Sequence, residues 1–545
     1  MKVLSIKPKN ATYQGLGIAP GLALGPAFIY QDIFQREHEF RTVPEDQFEA
    51  EWERIEKAMD RVGEELRDTA GGSVAGSETT AAQIFAAHQA ILRDPQLVGD
   101  LKTTMQRDRI NAEHVVIQVF QQWEMKLRQL EDEILRERAA DLADLGRRVL
   151  SVLEGIQSHT LERMPEGSVL VARRLLPSDT VFLSEHAAAA IISELGGRAS
   201  HAAILTRELG IPGVMQISGL LDAVAPMDLV FVDGDTGSVL LRPDSAMVGK
   251  LYARIQIRWN DAVEIQNRRA EPAVTRGGTR IGVMANVAGK ADVEHAVGSG
   301  ADGIGLYRTE SMYLSRRTAP TADELVADLA AALTSIRDKP VVIRLFDSGG
   351  DKQTPFLPVP PDLNPALGKR GVRLLLEYTD VLDTQLCALL RLAADFDVRI
   401  LVPMVTLAEE MKLVRDRLVA NAAALDCRQL PLLGAMIETP ASALCVSDLA
   451  EFSDFFSIGT NDLAQYTMAA GRESPDVAGY FREDHPAMQR LLRMVLAEAG
   501  DRPVAICGEL AGSPGAVSEL VGMGFTQLSV APPRIPTVKE HIRQL

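Results

Sequence analysis

The sequence predicts an α/β multidomain protein: a helical bundle inserted beside a small β/α domain in the first half, followed by a C-terminal (β/α)8 TIM-type barrel. Three observations carry this. From Thr279 onward apolar strands alternate with helical stretches, and eight strand candidates fall within about 270 residues, the usual span of such a barrel. Between Asp46 and Gly155 prolines almost vanish, charges are dense and apolar residues recur at helical spacing. Around that stretch, short apolar runs separated by glycines mark a small sheet.

The length of 545 residues allows three to four domains at roughly 150 residues each. A net charge of −17 and a pI near 5.1 argue against nucleic acid or an anionic membrane as the main partner and leave room for a basic protein. The four cysteines, Cys387, Cys427, Cys445 and Cys507, lie in the last third without metal-ligand or disulfide-like spacing, which fits a reducing cytoplasm. No early apolar leader and no long uncharged run stands out, so neither a signal peptide nor membrane insertion is expected.

In order, residues 1–45 hold a small, turn-rich stretch ending in a strand at 27–30, whose glycines and alternating apolar positions suit an edge strand joining a sheet elsewhere in the chain. Residues 46–155 read as an antiparallel helical bundle, with Leu127, Leu130, Ile134, Leu142, Leu145, Val149 and Val152 on its apolar faces and Pro95 stopping a helix that carries Ile84, Phe85 and His88. Residues 156–245 return to β/α structure: strands at 168–172 and 188–193, then a hairpin over 229–241. A charged helical linker, 246–278, leads to the barrel at 279–545, with strands at 280–285, 303–307, 341–346, 399–404, 432–437, 455–459, 504–507 and 527–530.

Two places collect chemistry. In the small domain, Gly196 and Gly197 free the backbone for a tight turn just before His201, which opens an apolar helix. The first N–H groups of that helix favour an anion beside the imidazole. In the barrel, the positions after the strands are the ones to inspect, and they are polar. Arg308, Arg344 and Arg472 offer several guanidinium forks to one mouth, the recognition chemistry of a small polyanion. Glu438 and Asp462, with Asn461 beside them, are hard oxygen donors from neighbouring strands: either a Mg2+ pair of the kind usual in phosphoryl-transfer sites or structural carboxylates bonded to loop amides. Cys507 at a strand end is either a small buried residue or a proton donor.

Together these residues resemble Enzyme I of the bacterial phosphoenolpyruvate-dependent sugar phosphotransferase system, over nearly the whole chain. The resemblance rests on the phosphohistidine pattern at 196–201, a long signature at 454–472, and shorter segments at 303–310, 349–352, 367–370, 436–440 and 507–510. Residues 84–88 and 135–141 resemble the docking region for the carrier protein HPr. The resemblance implies a cytoplasmic, homodimeric phosphotransferase in which His201 is the phosphohistidine nucleophile and Glu438 and Asp462 bind Mg2+. It also implies that Arg308, Arg344, Arg370, Asn461 and Arg472 hold phosphoenolpyruvate, and that Cys507 protonates the enolate to give pyruvate. His201 then serves two partners, the barrel mouth and HPr, so its domain is expected to swivel about 155–167 and 247–278. Two departures stand out: Ala199, where the family usually has a hydroxyl residue, and Lys369, where relatives often carry an aromatic one.

The rivals are phosphoenolpyruvate synthase and pyruvate phosphate dikinase, which need a nucleotide-binding domain with a glycine-rich phosphate loop that residues 1–165 do not offer. A non-catalytic scaffold is the other alternative, and the full set His201, Glu438, Asp462, Arg472 and Cys507 speaks against it. An extra sensory domain, as in a nitrogen-responsive paralogue, is not expected.

Overall fold

Three strands open the chain, β1 (Ala11–Gln14), β2 (Leu16–Ala19) and β3 (Leu22–Tyr30). They share one eight-stranded sheet with β4 (Val169–Ala172), β5 (Ala190–Ser193), β6 (Gly213–Met215), β7 (Leu229–Asp233) and β8 (Ser238–Leu241). The structure, a computed structural model, describes residues 8–30, 33–35, 38–72, 91–128, 133–156, 160–175, 183, 188–197, 200–314, 316–348, 354, 356–357, 362, 364–471, 477 and 479–545. Ile84, Phe85, His88, Leu130, Ala199, Arg472 and the 349–352 segment lie outside the described residues, as do the side chains of His201 and of residues 135–141.

The sheet runs β1-β8-β7-β3-β4-β5-β6-β2, so the expected edge position of the 27–30 strand is corrected: β3 is central. Its first half, to Pro26, pairs antiparallel with β7, and its second half, from Ala27, pairs parallel with β4. Pro26 stands at that change of partner, where a missing N–H does least harm to either ladder. The sequence pattern misled because glycine and proline usually mark an edge. Strands β4 and β5 are buried at every position, as expected of parallel strands covered on both faces. The expected hairpin is β7–β8, and Asp233 closes its turn by accepting from the N–H groups of Asp235 (3.2 Å) and Thr236 (3.1 Å).

Between β3 and β4 lie four described helices: α1 (Phe48–Gly72), α2 (Pro95–Asp108), α3 (Ala112–Arg128) and α4 (Glu133–Leu153). Pro95 ends the helical residues before it and also opens α2, because Asp94 Oδ1 accepts from Gln96 N (2.8 Å) and Leu97 N (3.3 Å). Ile55, Leu97, Leu101, Phe120, Leu142, Leu145 and Val149 form the bundle core.

Helix α5 (His201–Glu208) follows the expected turn. Gly196 has φ +133°, and a Cβ there would come within 2.6 Å of Met215 Sδ, so glycine is required. Ser200 caps the helix, its Oγ accepting from Ala203 N (3.3 Å), which makes His201 the first helical residue. Helix α6 (Ser245–Asn267) is opened by Asp244, and the chain divides within it into two units, Met1–Asn260 and Asp261–Leu545.

In the second unit a two-residue strand, β9 (Ala273–Val274), pairs antiparallel with the first barrel strand. The barrel strands are β10 (Arg280–Val287), β11 (Ile304–Tyr307), β12 (Val341–Arg344), β13 (Val398–Val402), β14 (Leu432–Ile437), β15 (Phe455–Ile458), β16 (Val504–Ile506) and β17 (Gln527–Val530). All eight expected strands form, each parallel to its neighbours, and β17 returns to β10 to close the barrel. Leu306, Val342, Leu401, Met436, Phe455 and Cys507 pack as one small buried cluster contributed by six neighbouring strands or strand ends. Lys539, fully buried, donates to Gly300 O (2.6 Å) and Asp302 Oδ1 (2.9 Å), just before the start of β11. This buried cation is satisfied; the opposite end of the strands is different.

Candidate functional site

A cavity of about 610 Å³ opens at the C-terminal ends of the barrel strands. Seven residues expected to act together line it: Arg308, Arg344, Arg370, Glu438, Asn461, Asp462 and Cys507. Gly471 also lines it, while Arg472 is outside the described residues. His201 belongs to the other unit.

Arg344, the last residue of β12, donates from Nη2 to Glu310 Oε1 (2.8 Å), and its Nη1 lies 3.4 Å from Asp347 Oδ2. Its buried Nε has no hydrogen-bond partner among the described residues. Arg370 donates from Nη2 to Asp347 Oδ2 (2.8 Å) and from Nε to Asp347 Oδ1 (3.3 Å), and its Nη2 lies 3.5 Å from Asp462 Oδ2. Burial works against the charge on both guanidiniums. The surrounding carboxylates, Glu310 and Asp347 for Arg344, Asp347 and Asp462 for Arg370, outweigh it and hold both pKa values above the ordinary arginine range. Arg308 is exposed at the rim and makes no side-chain hydrogen bond or ion pair among the described residues, so its fork faces the cavity uncommitted. Lys369 stays on the surface, paired with Glu377 (2.5 Å).

Glu438 directly follows β14 and is fully buried. Its Oε1 accepts from Met404 N (2.5 Å), and its Oε2 has no partner among the described residues. Met404 has a φ of +56°, a left-handed conformation that costs a non-glycine residue roughly 1–3 kcal/mol and here accompanies an N–H aimed at the carboxylate. Burial pushes the Glu438 carboxyl above the usual range, the Asp462 charge adds to this, and Arg344 offsets part of it. Asp462 sits in the first turn of the helix Thr460–Met468, after the neighbouring strand β15. An orphaned buried oxygen, a second carboxylate from the next strand and a negative charge that burial opposes fit a hard divalent cation. Such an ion takes few protein oxygens and keeps waters. Among the described residues no group of three or more His, Cys, Asp or Glu could hold a metal.

Asn461 Oδ1 accepts from Glu509 N (2.9 Å), which leaves the amide N–H groups for a ligand oxygen. Cys507 follows β16, is 4% exposed, and its Sγ lies 3.5 Å from Ile458 O. Burial pushes the thiol up to about 11, so it stays protonated at neutral pH. Leu306 and Met436 pack with Cys507 and give it an apolar floor. A Cβ on Gly508 would lie 1.8 Å from Thr460 Oγ1, so only glycine lets the chain after Cys507 pass. Chemically, the cavity joins cationic forks, a pair of carboxylates from neighbouring strands and a neutral acid on an apolar floor.

Sequence reasoning missed Asn286, which lines the cavity because β10 runs to Val287 rather than stopping at 285. A lone asparagine in an otherwise apolar run was the available signal. Glu310 and Asp347 were visible as polar strand-end residues, yet sequence does not separate a carboxylate that holds an arginine from one that holds a cation.

Three family descriptions match the chain: PEP-utilising enzyme, N-terminal, over residues 14–138; PEP-utilising enzyme, mobile domain, over 164–237; and PEP-utilising enzyme, PEP-binding domain, over 263–545. Among curated proteins, the phosphoenolpyruvate-protein phosphotransferase of Geobacillus stearothermophilus is 34% identical, covering 98% of this chain and 94% of its own length. Those of Priestia megaterium and Staphylococcus carnosus are 33% and 32% identical with the same coverage of both chains.

Proposed function

The chain belongs to the phosphoenolpyruvate-protein phosphotransferase family, Enzyme I of the sugar phosphotransferase system, and from that premise we propose how its residues move a phosphoryl group from phosphoenolpyruvate to HPr. The enzyme is a phosphotransferase that uses phosphoenolpyruvate; the assignment of roles to residues is our reading.

Arg308, Arg344, Arg370, Arg472 and Asn461 bind the phosphate and carboxylate of phosphoenolpyruvate, with Arg344 and Arg370 exchanging part of their Glu310 and Asp347 contacts for substrate oxygens. Glu438 and Asp462 hold Mg2+, which when bound neutralises charge on phosphate and enolate oxygens. His201 attacks phosphorus in line: the N–P bond forms, the P–O bond to the enol oxygen breaks, and enolpyruvate departs. Cys507, kept neutral by burial, gives its proton to the enolate carbon, and pyruvate results. The His201 domain then turns from the barrel mouth to HPr docked on the bundle, so residues 46–155 serve docking. Residues 1–45 with 156–245 form the swivelling phosphohistidine domain, 246–278 the linker, and 279–545 the phosphoenolpyruvate-binding barrel. The same reading makes the protein a cytoplasmic homodimer joined through its barrel half; no described helix is long and apolar enough to cross a membrane.

The observation that supports this reading most is the convergence of seven expected residues on one cavity, with, beside Asp462, a buried Glu438 oxygen that has no partner among the described residues. The test is stoichiometry with phosphoenolpyruvate, Mg2+ and an HPr carrier. Pyruvate and phosphorylated carrier should form one to one with the unmodified enzyme, with neither from His201→Ala and a strongly raised KM for phosphoenolpyruvate in Arg308→Ala. Pyruvate release by His201→Ala at the unmodified rate refutes the assignment.

A further inference from the structure

Asn286 lines the cavity yet has no donor left for a substrate. Its Nδ2 donates to the backbone carbonyls of Cys507 (2.9 Å) and Ser529 (3.2 Å), and its Oδ1 accepts from Ser529 Oγ (2.7 Å). An amide nitrogen carries two N–H groups, so both are committed to backbone. Three adjacent strands are tied by this one side chain: Cys507 follows β16, Ser529 lies in β17 and Asn286 in β10. The β16–β17 ladder ends with Ile506 opposite Leu528, which leaves the Cys507 carbonyl past its last rung. Asn286 reaches across β17 to supply the missing donor. On the other side, Cys507 N donates to Ile458 O (3.0 Å). The peptide groups before and after Cys507 are thus each held by a different strand, and together they fix the direction of its Cα–Cβ bond.

We propose that Asn286 is a positioning residue for Cys507: anchored by Ser529, its amide aims the thiol at one face of the enolpyruvate carbon, so that the proton arrives on that face only. The inference rests on the reading of Cys507 as proton donor. In the step, the S–H bond breaks and the electron pair of the enolate C=C takes the proton to form the methyl C–H bond. The enolate oxygen becomes the ketone carbonyl, and the thiolate regains a proton from water. Aim matters here because a misplacement of about 1 Å can cost on the order of 100-fold in rate.

The test uses the full-length enzyme with Mg2+ and follows three quantities. These are deuterium entry from D2O into the pyruvate methyl, the chirality of the methyl formed from stereospecifically labelled phosphoenolpyruvate, and the KM for phosphoenolpyruvate during transfer to the carrier. Asn286→Ala should slow deuterium entry by roughly tenfold or more and mix the methyl chirality, with KM within about twofold. Ser529→Ala, which keeps both Nδ2 donors and loses only the anchor, should scramble chirality partially. Single chirality and unmodified exchange in Asn286→Ala, while Cys507→Ala loses both, overturns the inference alone. If Cys507→Ala itself keeps both, the proton-donor reading falls and this inference with it. Should Asn286→Ala fail to fold by circular dichroism, Ser529→Ala decides: partial scrambling supports the proposal and unmodified chirality overturns it.

Discussion

Replacing Glu438 by Gln keeps the volume of a fully buried side chain and an Oε1 acceptor for Met404 N, but turns Oε2, which has no partner among the described residues, into an amide nitrogen. Because burial already disfavours the charge there, removing it leaves the metal-free barrel folded and no less stable. Cation binding is what should suffer. Loss of an outer-shell partner alone costs about 10- to 100-fold in affinity, so loss of one of the two proposed carboxylate ligands should reach about 100-fold or more. At a Mg2+ concentration 100 times the unmodified Kd, the unmodified barrel gains about 2.7 kcal/mol, and the variant, then near its own Kd, about 0.4 kcal/mol. For a unit of this size 1 kcal/mol corresponds to roughly 2 °C in Tm. Scanning calorimetry in EDTA and in Mg2+ should therefore show a gain of about 5 °C for the unmodified barrel and less than about 1 °C for Glu438→Gln. Equal gains in both proteins would refute the placement of the cation.

Three further outcomes follow from the same geometry. Asp347, its side chain 3% exposed between Arg344 and Arg370, compensates the buried Arg344 guanidinium and the half-buried one of Arg370. Asp347→Ala should therefore cost the barrel about 3–5 kcal/mol in urea unfolding, and a loss below about 1 kcal/mol would contradict the network. Gly508→Ala places a methyl 1.8 Å from Thr460 Oγ1, so it should cost roughly 1–3 kcal/mol and, by moving Cys507, lower kcat more than it changes KM. Iodoacetamide labelling of Cys507 should be slow at pH 8 and rise toward a midpoint near 11, with the exposed Cys445 labelling much faster throughout. The sign for stability is set by the same burial: the unfolded thiol ionises first, so this group's contribution is intact below about 8.5 and is lost as pH climbs through about 11.

Much of the fold is legible in the sequence because the barrel strands are short apolar runs between helical stretches, and period alone separates the two. All eight were placed, with ends off by a few residues: the third was extended to 346 where β12 stops at Arg344, and the first was cut at 285, which hid Asn286. The central position of β3 was not legible, because a glycine and a proline in a strand argue for an edge unless one knows that the strand changes partner at Pro26. In the candidate site, residue types and strand ends sufficed to nominate Glu438, Asp462, Asn461, Cys507, Arg308, Arg344 and Arg472, while Arg370 entered only through the family resemblance. Which carboxylate faces which cation was not legible. That Asp347 bridges two arginines while one Glu438 oxygen has no partner among the described residues depends on burial and on the turn at Met404, and neither leaves a local pattern.

The most direct measurement is a single turnover with phosphoenolpyruvate labelled in its phosphate, Mg2+ present and no carrier, followed by peptide mapping. The account predicts one labelled site, at His201, stable to base and lost in acid, absent from His201→Ala, and discharged on addition of HPr. Label on a barrel residue, or label that survives His201→Ala, would contradict it.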